Sequence, residues 1–385
     1  MANNFDVIVI GVGAMGASTC FHLAGRGAKT LGLEQFDIPH TRGSSHGDSR
    51  MIRKAYFEHP NYVPLLHRAY ELWDELEAIS HRRLLYRVGG VFIGPRDKTL
   101  VSGALASAEL HHLPHELLSA AELRHRWPQF IVPDDWNAFY EPESGFLFPE
   151  RVISTYAEHA LRRGAEIHGQ EAVREWKREG SGYIVKTDYS TYAADRLIFC
   201  GGAWSGKLLS NLGVNLKVTR QVLAWVWPKE PQFFELGRIP VWGIDSLDGG
   251  LYYGFPMIDQ CPGFKFAHHL PTENAVDPDT VSRDVLPSDR DAVRAILSRY
   301  LPGADGPFLA IKTCLYTNSP DGHFIIDRLP DHPGVQIACG FSGHGFKFAS
   351  AIGAALADAS LTEKYDPSLD FLRLARFAST GNVVQ

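Results

Sequence analysis

The segment Gly11-Val12-Gly13-Ala14-Met15-Gly16 has G-x-G-x-x-G spacing, and Glu34 follows it by about twenty residues. Together they have the chemistry of a dinucleotide site. Gly11 permits a tight turn, Gly13 lets the backbone approach a pyrophosphate, and Gly16 lets a helix lie close on a strand. A helix N-terminus offers free N–H groups and partial positive charge to the phosphates. Glu34 would accept hydrogen bonds from a ribose hydroxyl pair. This spacing does not separate NAD from FAD, although its place early in the chain and the lack of a second copy favour one tightly held FAD.

Five cysteines, Cys20, Cys200, Cys261, Cys314 and Cys339, are scattered without C-x-x-C or zinc-ribbon spacing. An odd, dispersed set suits reduced thiols in a cytoplasm, most of them small core residues. If one of them does chemistry, it acts alone. His111, His112, His115 and Glu116 lack metal-ligand spacing and read as an exposed loop, so no metal site is expected. Ser342 is no nucleophile elbow, because His344 stands where G-x-S-x-G needs glycine. Two lysines stand in unusual surroundings: Lys265 interrupts the run Phe264 to Ala267, and Lys347 sits in a glycine loop that opens a helix.

These residues need elements to position them. Phe5 to Ile10 reads as a buried parallel strand, and about Ala14 to Arg26 as a helix with Ala17, Cys20, Phe21 and Ala24 on one face. Lys29 to Leu33 reads as a second strand closed by Glu34, which completes a βαβ unit. Arg196 to Cys200 and Val335 to Ala338 repeat the buried-strand signal, the latter ahead of an apolar helix from Phe348 to Leu361. The alternating segments Val218 to Trp227, Gly250 to Phe255 and Phe264 to His268 predict an antiparallel sheet. The expected fold class is therefore α/β, α+β overall, with a discontinuous dinucleotide domain from residues 1–85, 146–215 and 320–385. Residues 86–145 and 216–319 would form an inserted, mainly antiparallel substrate domain.

Composition sets the outer limits. The 385 residues are 45% hydrophobic and 21% charged, which suits a globular protein of two or three domains and excludes a disordered or fibrous chain. A net charge of −6 gives no general field for nucleic acid or an anionic membrane. No signal peptide, membrane span or peroxisomal ending is visible, so a soluble cytoplasmic protein is expected.

Further segments carry a resemblance. They are Gly43-Ser44-Ser45-His46-Gly47-Asp48-Ser49-Arg50 with Arg53, Tyr252-Tyr253-Gly254-Phe255-Pro256, Lys265 with His269, Cys314-Leu315-Tyr316-Thr317, and Gly340 through Lys347. In this order, behind an N-terminal fingerprint, the chain from about residue 5 to 365 resembles the monomeric sarcosine oxidase and N-methyltryptophan oxidase family of flavin amine oxidases. The resemblance implies a Rossmann-like FAD-binding domain of the glutathione-reductase type, and FAD attached through a thioether at Cys314. It implies oxidation of the C–N bond of an N-methyl amino acid, most simply sarcosine, by a monomer that passes the electrons to O2. Formaldehyde, the free amino acid and hydrogen peroxide are the products.

Residue by residue, the resemblance places Arg53 and Lys347 at the substrate carboxylate, where an arginine fork and a lysine point charge would orient it. Lys265 becomes the site of oxygen activation, as a fixed cation that stabilises superoxide. Tyr253 and His269 become substrate-pocket residues, and Ser44, His46 and Arg50 lie close to the flavin, with His46 and Arg50 as cations. Gly343 and Gly345 let backbone N–H groups approach the pyrimidine end of the ring. Ile244 takes a pocket position that is methionine in the sarcosine enzymes. Ser45 replaces a usual histidine, Ser49 a usual threonine, and the stretch Asp259 to Gly263 differs from its counterparts, which leaves substrate size open. N-methyltryptophan, pipecolate or a glycated amine are alternative substrates. A nicotinamide-dependent dehydrogenase and an inactive flavin-binding sensor are alternatives of another class.

Overall fold

The structure, a computed structural model, describes residues 3–209, 212–247, 249–259, 263–269 and 274–378. Cys261, with most of the Asp259–Gly263 stretch, and both ends of the chain lie outside the described residues.

Short β-branched runs without alternation build the middle of one eight-stranded sheet. Asn3–Ile10 pairs in parallel with Thr30–Leu33 on one side and Thr191–Phe199 on the other, so that Ile10 faces both Leu33 and Phe199. Val335–Cys339 extends the parallel set beside Thr191–Phe199. Both faces are covered, which is why Val7, Ile8 and Val9 are all fully buried. Helices Ala14–Gly25, Pro149–Arg162 and Ala349–Thr362 pack on one face. Small residues set their spacing: a Cβ added at Gly353 would stand 2.2 Å from Ser18 Oγ.

A second eight-stranded sheet runs Phe308–Asn318, Lys217–Val226, Phe264–His269, Leu251–Gly254, Val241–Asp245, Gly90–Pro95, Trp136–Glu141, Glu116–Ser119. All its pairings are antiparallel except Val241–Asp245 with Gly90–Pro95. Strand alternation gives it two different faces. Ala224, Val226, Trp242, Ile244, Phe264 and Phe266 pack with Val293, Ile296 and Leu297 of helix Pro287–Tyr300. On the opposite face, Leu223, Trp225, Ala267 and Cys314 form a separate small cluster. A three-stranded sheet of Arg50–Ile52, Gly145–Leu147 and Leu85–Arg87 carries Arg50.

The βαβ unit and the antiparallel segments form where the sequence pattern places them, with ends shifted by a residue or so. Cys314 lies inside the strand Phe308–Asn318. The 19-residue helix Tyr62–Ser80 was not anticipated. Its buried stripe of Leu65, Leu66, Ala69, Leu72, Trp73 and Leu76 is amphipathic, and Pro64 falls in the first turn, where a missing N–H costs little.

Candidate active site

Glycines shape one end of the site. Gly11 has φ +92°, and an added Cβ there would stand 2.5 Å from the Cys200 carbonyl oxygen. At Gly16 the added atom would stand 1.8 Å from the Gly11 oxygen. Gly13 differs: its Cβ would meet only Ser45 Oγ, at 3.9 Å, so its face is open to the cavity. Gly13 is also the N-cap of helix Ala14–Gly25 and makes no side-chain cap, as an anion site at that helix end requires. Glu34 is 5% exposed; it accepts from Val12 N at 2.9 Å and from Phe36 N at 3.2 Å, and burial pushes its carboxyl up to about 6.

A cavity of about 1570 Å³, its open mouth included, starts at Val12, Gly13 and Glu34 and reaches Arg53, Tyr253, His269 and Lys347. Ser44, Arg50, Gly343 and Gly345 also line it. At the far end Arg53 is 4% exposed, stacks on the rings of Tyr56 and Phe57 at 4.2 and 4.3 Å, and pairs with both oxygens of Glu58 at 2.8 and 2.6 Å. Burial works to raise the Glu58 carboxyl, but Arg53, His344 and Lys347 outweigh it and hold it down at about 2. Lys347, in the 3-10 turn Phe346–Phe348 ahead of helix Ala349–Thr362, donates to the His344 carbonyl at 2.8 Å. Burial, then the neighbouring Arg53, lowers its ammonium to about 7. His269 Nδ1 lies 3.1 Å from Tyr316 Oη, its ring is edge-on to Tyr253, and burial lowers it to about 4.

A second group joins the wall residues Ser44 and Arg50 to Lys265 and Cys314, which do not line the cavity. Lys265 is 2% exposed and donates to the carbonyls of Gly47 and Ser49, both at 2.6 Å, and to Ser49 Oγ at 3.2 Å. Burial, then Arg50, pushes its pKa well down. Arg50 donates to the carbonyls of Ser49 and Ser44, each at 2.9 Å, and its Nη2 is 3.6 Å from Cys314 Sγ. Ser44 donates to the Leu315 carbonyl at 2.5 Å. Cys314 is a free, buried thiol beside the carbonyls of Gly43 and Ser44, each at 3.8 Å.

Two expectations need correction. Ile244 is not a pocket residue: strand alternation turns it into the core on the far face, and Gly243, opposite Tyr253, lines the cavity in its place. His46 is not a cation here, since burial, Arg50 and Lys265 lower it to about 3, whereas the Arg50 guanidinium is held in its charged form. The His344 N–H in the Gly343–Gly345 turn donates to the Phe341 carbonyl at 3.0 Å.

Residues missed from the sequence are Tyr56, Glu58, Phe92, Gly243, Tyr316 and His344. Glu58 had a signal, an acid five residues beyond Arg53. Phe92 had none, because it reaches the site only through its pairing opposite Gly243. Among the described residues no group of three His, Cys, Asp or Glu side chains could hold a metal ion, and no helix is long and apolar enough to cross a membrane.

The described residues fit a dinucleotide: a glycine cradle that a Cβ would fill, an uncapped helix start and a buried acid open into one continuous cavity. Over residues 6–359 the chain matches the family described as FAD dependent oxidoreductase, and it belongs to that family. It is thus an FAD-dependent oxidoreductase. It is 42% identical over 365 residues to a monomeric sarcosine oxidase of Streptomyces avermitilis, covering 94% of this chain and 95% of that one. It is 33% identical to an N-methyl-L-tryptophan oxidase of Yersinia pestis, over 97% of this chain and 100% of the relative. NikD, an amino acid oxidase of nikkomycin biosynthesis, in its open form shares the fold at a TM-score of 0.84 and 23% identity, over 96% and 97% of the two chains.

Proposed function

We propose that the protein oxidises the C–N bond of an N-methyl amino acid, sarcosine foremost, with O2 as acceptor. One methylamine group, O2 and water give the free amine, formaldehyde and hydrogen peroxide. The observation that carries this reading is the pair of buried cations, Arg53 and Lys347, facing the end of a cavity that begins at the dinucleotide fingerprint. Bound FAD supplies a two-electron acceptor that O2 can reoxidise.

The residues divide the remaining work. Gly11, Gly13 and Gly16 shape the pyrophosphate cradle and Glu34 holds the ribose; Ser44, Arg50, Gly343 and Gly345 border the ring. Arg53 and Lys347 bind the substrate carboxylate, Glu58 holding Arg53 in register. Tyr253 and His269 enclose the amine, and the neutral imidazole can accept its proton or a hydrogen bond. Lys265, with three acceptors matching the three N–H bonds of an ammonium, supplies fixed charge for oxygen reduction. Cys314 carries a thioether to the flavin. In this reading residues 1–85, 146–215 and 320–385 hold FAD, residues 86–145 and 216–319 enclose the substrate, and the enzyme works as a monomer in the cytoplasm.

A panel of sarcosine, N-methyltryptophan, pipecolate and glycated amines with peroxide detection tests the reaction; no peroxide from any of them ends the oxidase reading. Acid precipitation tests the link. A yellow pellet that becomes a yellow supernatant in Cys314→Ser is expected, and a yellow supernatant from the unaltered protein rejects the thioether.

A further inference from the structure

Tyr56 is fully buried among Arg53, His344 and Lys347, which line the charged end of the cavity. Its ring lies under the Arg53 guanidinium at 4.2 Å, and its hydroxyl is 2.6 Å from His344 Nδ1 and 3.4 Å from Lys347 Nζ. One side chain thus touches both cations through two chemically different ends. The hydrogens of this network can be placed. His344 Nε2 lies 3.0 Å from the Gly322 carbonyl, which only accepts, so Nε2 carries the proton of the neutral ring. Nδ1 is then an acceptor, the Tyr56 hydroxyl donates to it, and the phenol oxygen is left to accept from Lys347. The His344 carbonyl, at 3.2 Å, is a more distant acceptor for that hydroxyl than Nδ1 at 2.6 Å, and it accepts from Lys347 at 2.8 Å.

Two of the three ammonium hydrogens of Lys347 are therefore fixed on protein acceptors, and the third is left towards the cavity that Lys347 lines. A lysine on a flexible four-carbon stem loses its aim without such partners. The Trp73 indole N–H adds a further tie, donating to the Lys347 carbonyl at 3.0 Å. We propose that Tyr56 and His344 are positioning residues that hold Lys347 and Arg53 as one preset fork for a substrate carboxylate. The inference rests on the carboxylate reading of those two cations.

The test uses flavin-loaded enzyme and propionate, a carboxylate with no amine to oxidise, titrated by the change in flavin absorbance between about pH 6 and pH 9. The groups facing Lys347 over that range are Arg53, Glu58, Tyr56, His344 and His269. Lys347→Met comes first: if it binds propionate as the unaltered enzyme does, the carboxylate reading itself fails. Once that loss is seen, Tyr56→Phe, which keeps the ring under Arg53, should raise the propionate Kd about tenfold, the scale of one hydrogen bond to a charged group. It should also move the alkaline limit of binding to lower pH, because the ammonium form has lost an acceptor. His344→Asn, whose amide oxygen can replace Nδ1 as acceptor, should stay within about threefold of the unaltered enzyme, whereas His344→Leu should match Tyr56→Phe. Unchanged Kd and pH limit in Tyr56→Phe overturn the proposal, as does a weaker Kd with an unmoved limit, which packing alone explains. Should Tyr56→Phe lose its flavin, the His344→Asn and His344→Leu pair decides on the same two readings.

Discussion

The two ends of the cavity are made of different material. At the dinucleotide end the constraint falls on backbone shape: Gly11 and Gly16 press against main-chain oxygens that cannot move aside. At the substrate end it falls on side-chain charge, with Arg53, Glu58, His269 and Lys347 brought together from distant parts of the chain. The first kind of site is intolerant of a single methyl group. The second tolerates changes of shape and answers to protons.

Gly16→Ala should show the first kind most strongly. Its Cβ would stand 1.8 Å from the Gly11 oxygen, a clash with backbone costing about 3 kcal/mol or more. Flavin-to-protein ratio and Tm should both fall sharply; a Gly16→Ala protein with full flavin and normal Tm breaks the comparison. Gly13→Ala sharpens it, since its Cβ meets nothing closer than Ser45 Oγ at 3.9 Å. Its Tm without flavin should be unchanged while its flavin-to-protein ratio drops.

At the other end, Arg53→Met leaves Glu58 as a buried, unpaired carboxylate, a loss of about 3–5 kcal/mol. The double variant Arg53→Met, Glu58→Gln should regain most of the Tm, yet kcat/KM for sarcosine should stay about a hundredfold down, the scale of one truncated buried charge contact. If the double variant recovers turnover as well, Arg53 acts only in folding.

The same contrast explains what could be read in advance. The glycine turn, Glu34 and the strand-helix-strand unit lie within some thirty residues, so local spacing specifies them. Gly243 and Ile244 show the limit: which of two neighbours faces the cavity depends on the register of Val241–Asp245 with Leu251–Gly254, and a one-residue slip reverses the answer. His46 was legible as a residue near Arg50 but not in its charge, because burial is a property of the assembled fold. The Tyr56–His344 contact likewise exists only once the loop after Arg50–Ile52 packs against the Gly340–Lys347 turn.

A pH series separates the two ends by a graded effect. Lys347 is lowered to about 7 by burial and by Arg53, so the free enzyme carries its charge below that pH and loses it above. With Glu58 ionised throughout, the net charge of the Arg53–Glu58–Lys347 group then falls from +1 to zero. KM for a carboxylate substrate should rise by up to about tenfold per unit above that midpoint. Loss of the substrate amine proton acts in the opposite sense and raises turnover with pH. The expected kcat/KM profile is bell-shaped, with its alkaline limb absent in Lys347→Met. The flavin-to-protein ratio, governed by the glycine cradle and by Glu34, should stay flat above that midpoint, where Glu34 is ionised.

The smallest expected effect lies on the strand where two adjacent residues face different surroundings. Ile244→Met swaps similar volumes in the far-face core beside Trp242 and Phe264, so it should cost less than about 1.5 kcal/mol. It should leave the ratio of kcat/KM for sarcosine over N-methyltryptophan unchanged. Gly243→Ala adds one carbon on the cavity face, 3.1 Å from Phe92 Cδ1 and 3.8 Å from Leu100 Cδ2. Phe92 must then give by a few tenths of an ångström, narrowing the wall next to Tyr253. The ratio should shift towards sarcosine by about threefold, within the range that one methylene commands in an apolar pocket. A ratio that moves with Ile244→Met and not with Gly243→Ala would mean that the strand register, and with it the assignment of this wall to the substrate, is wrong.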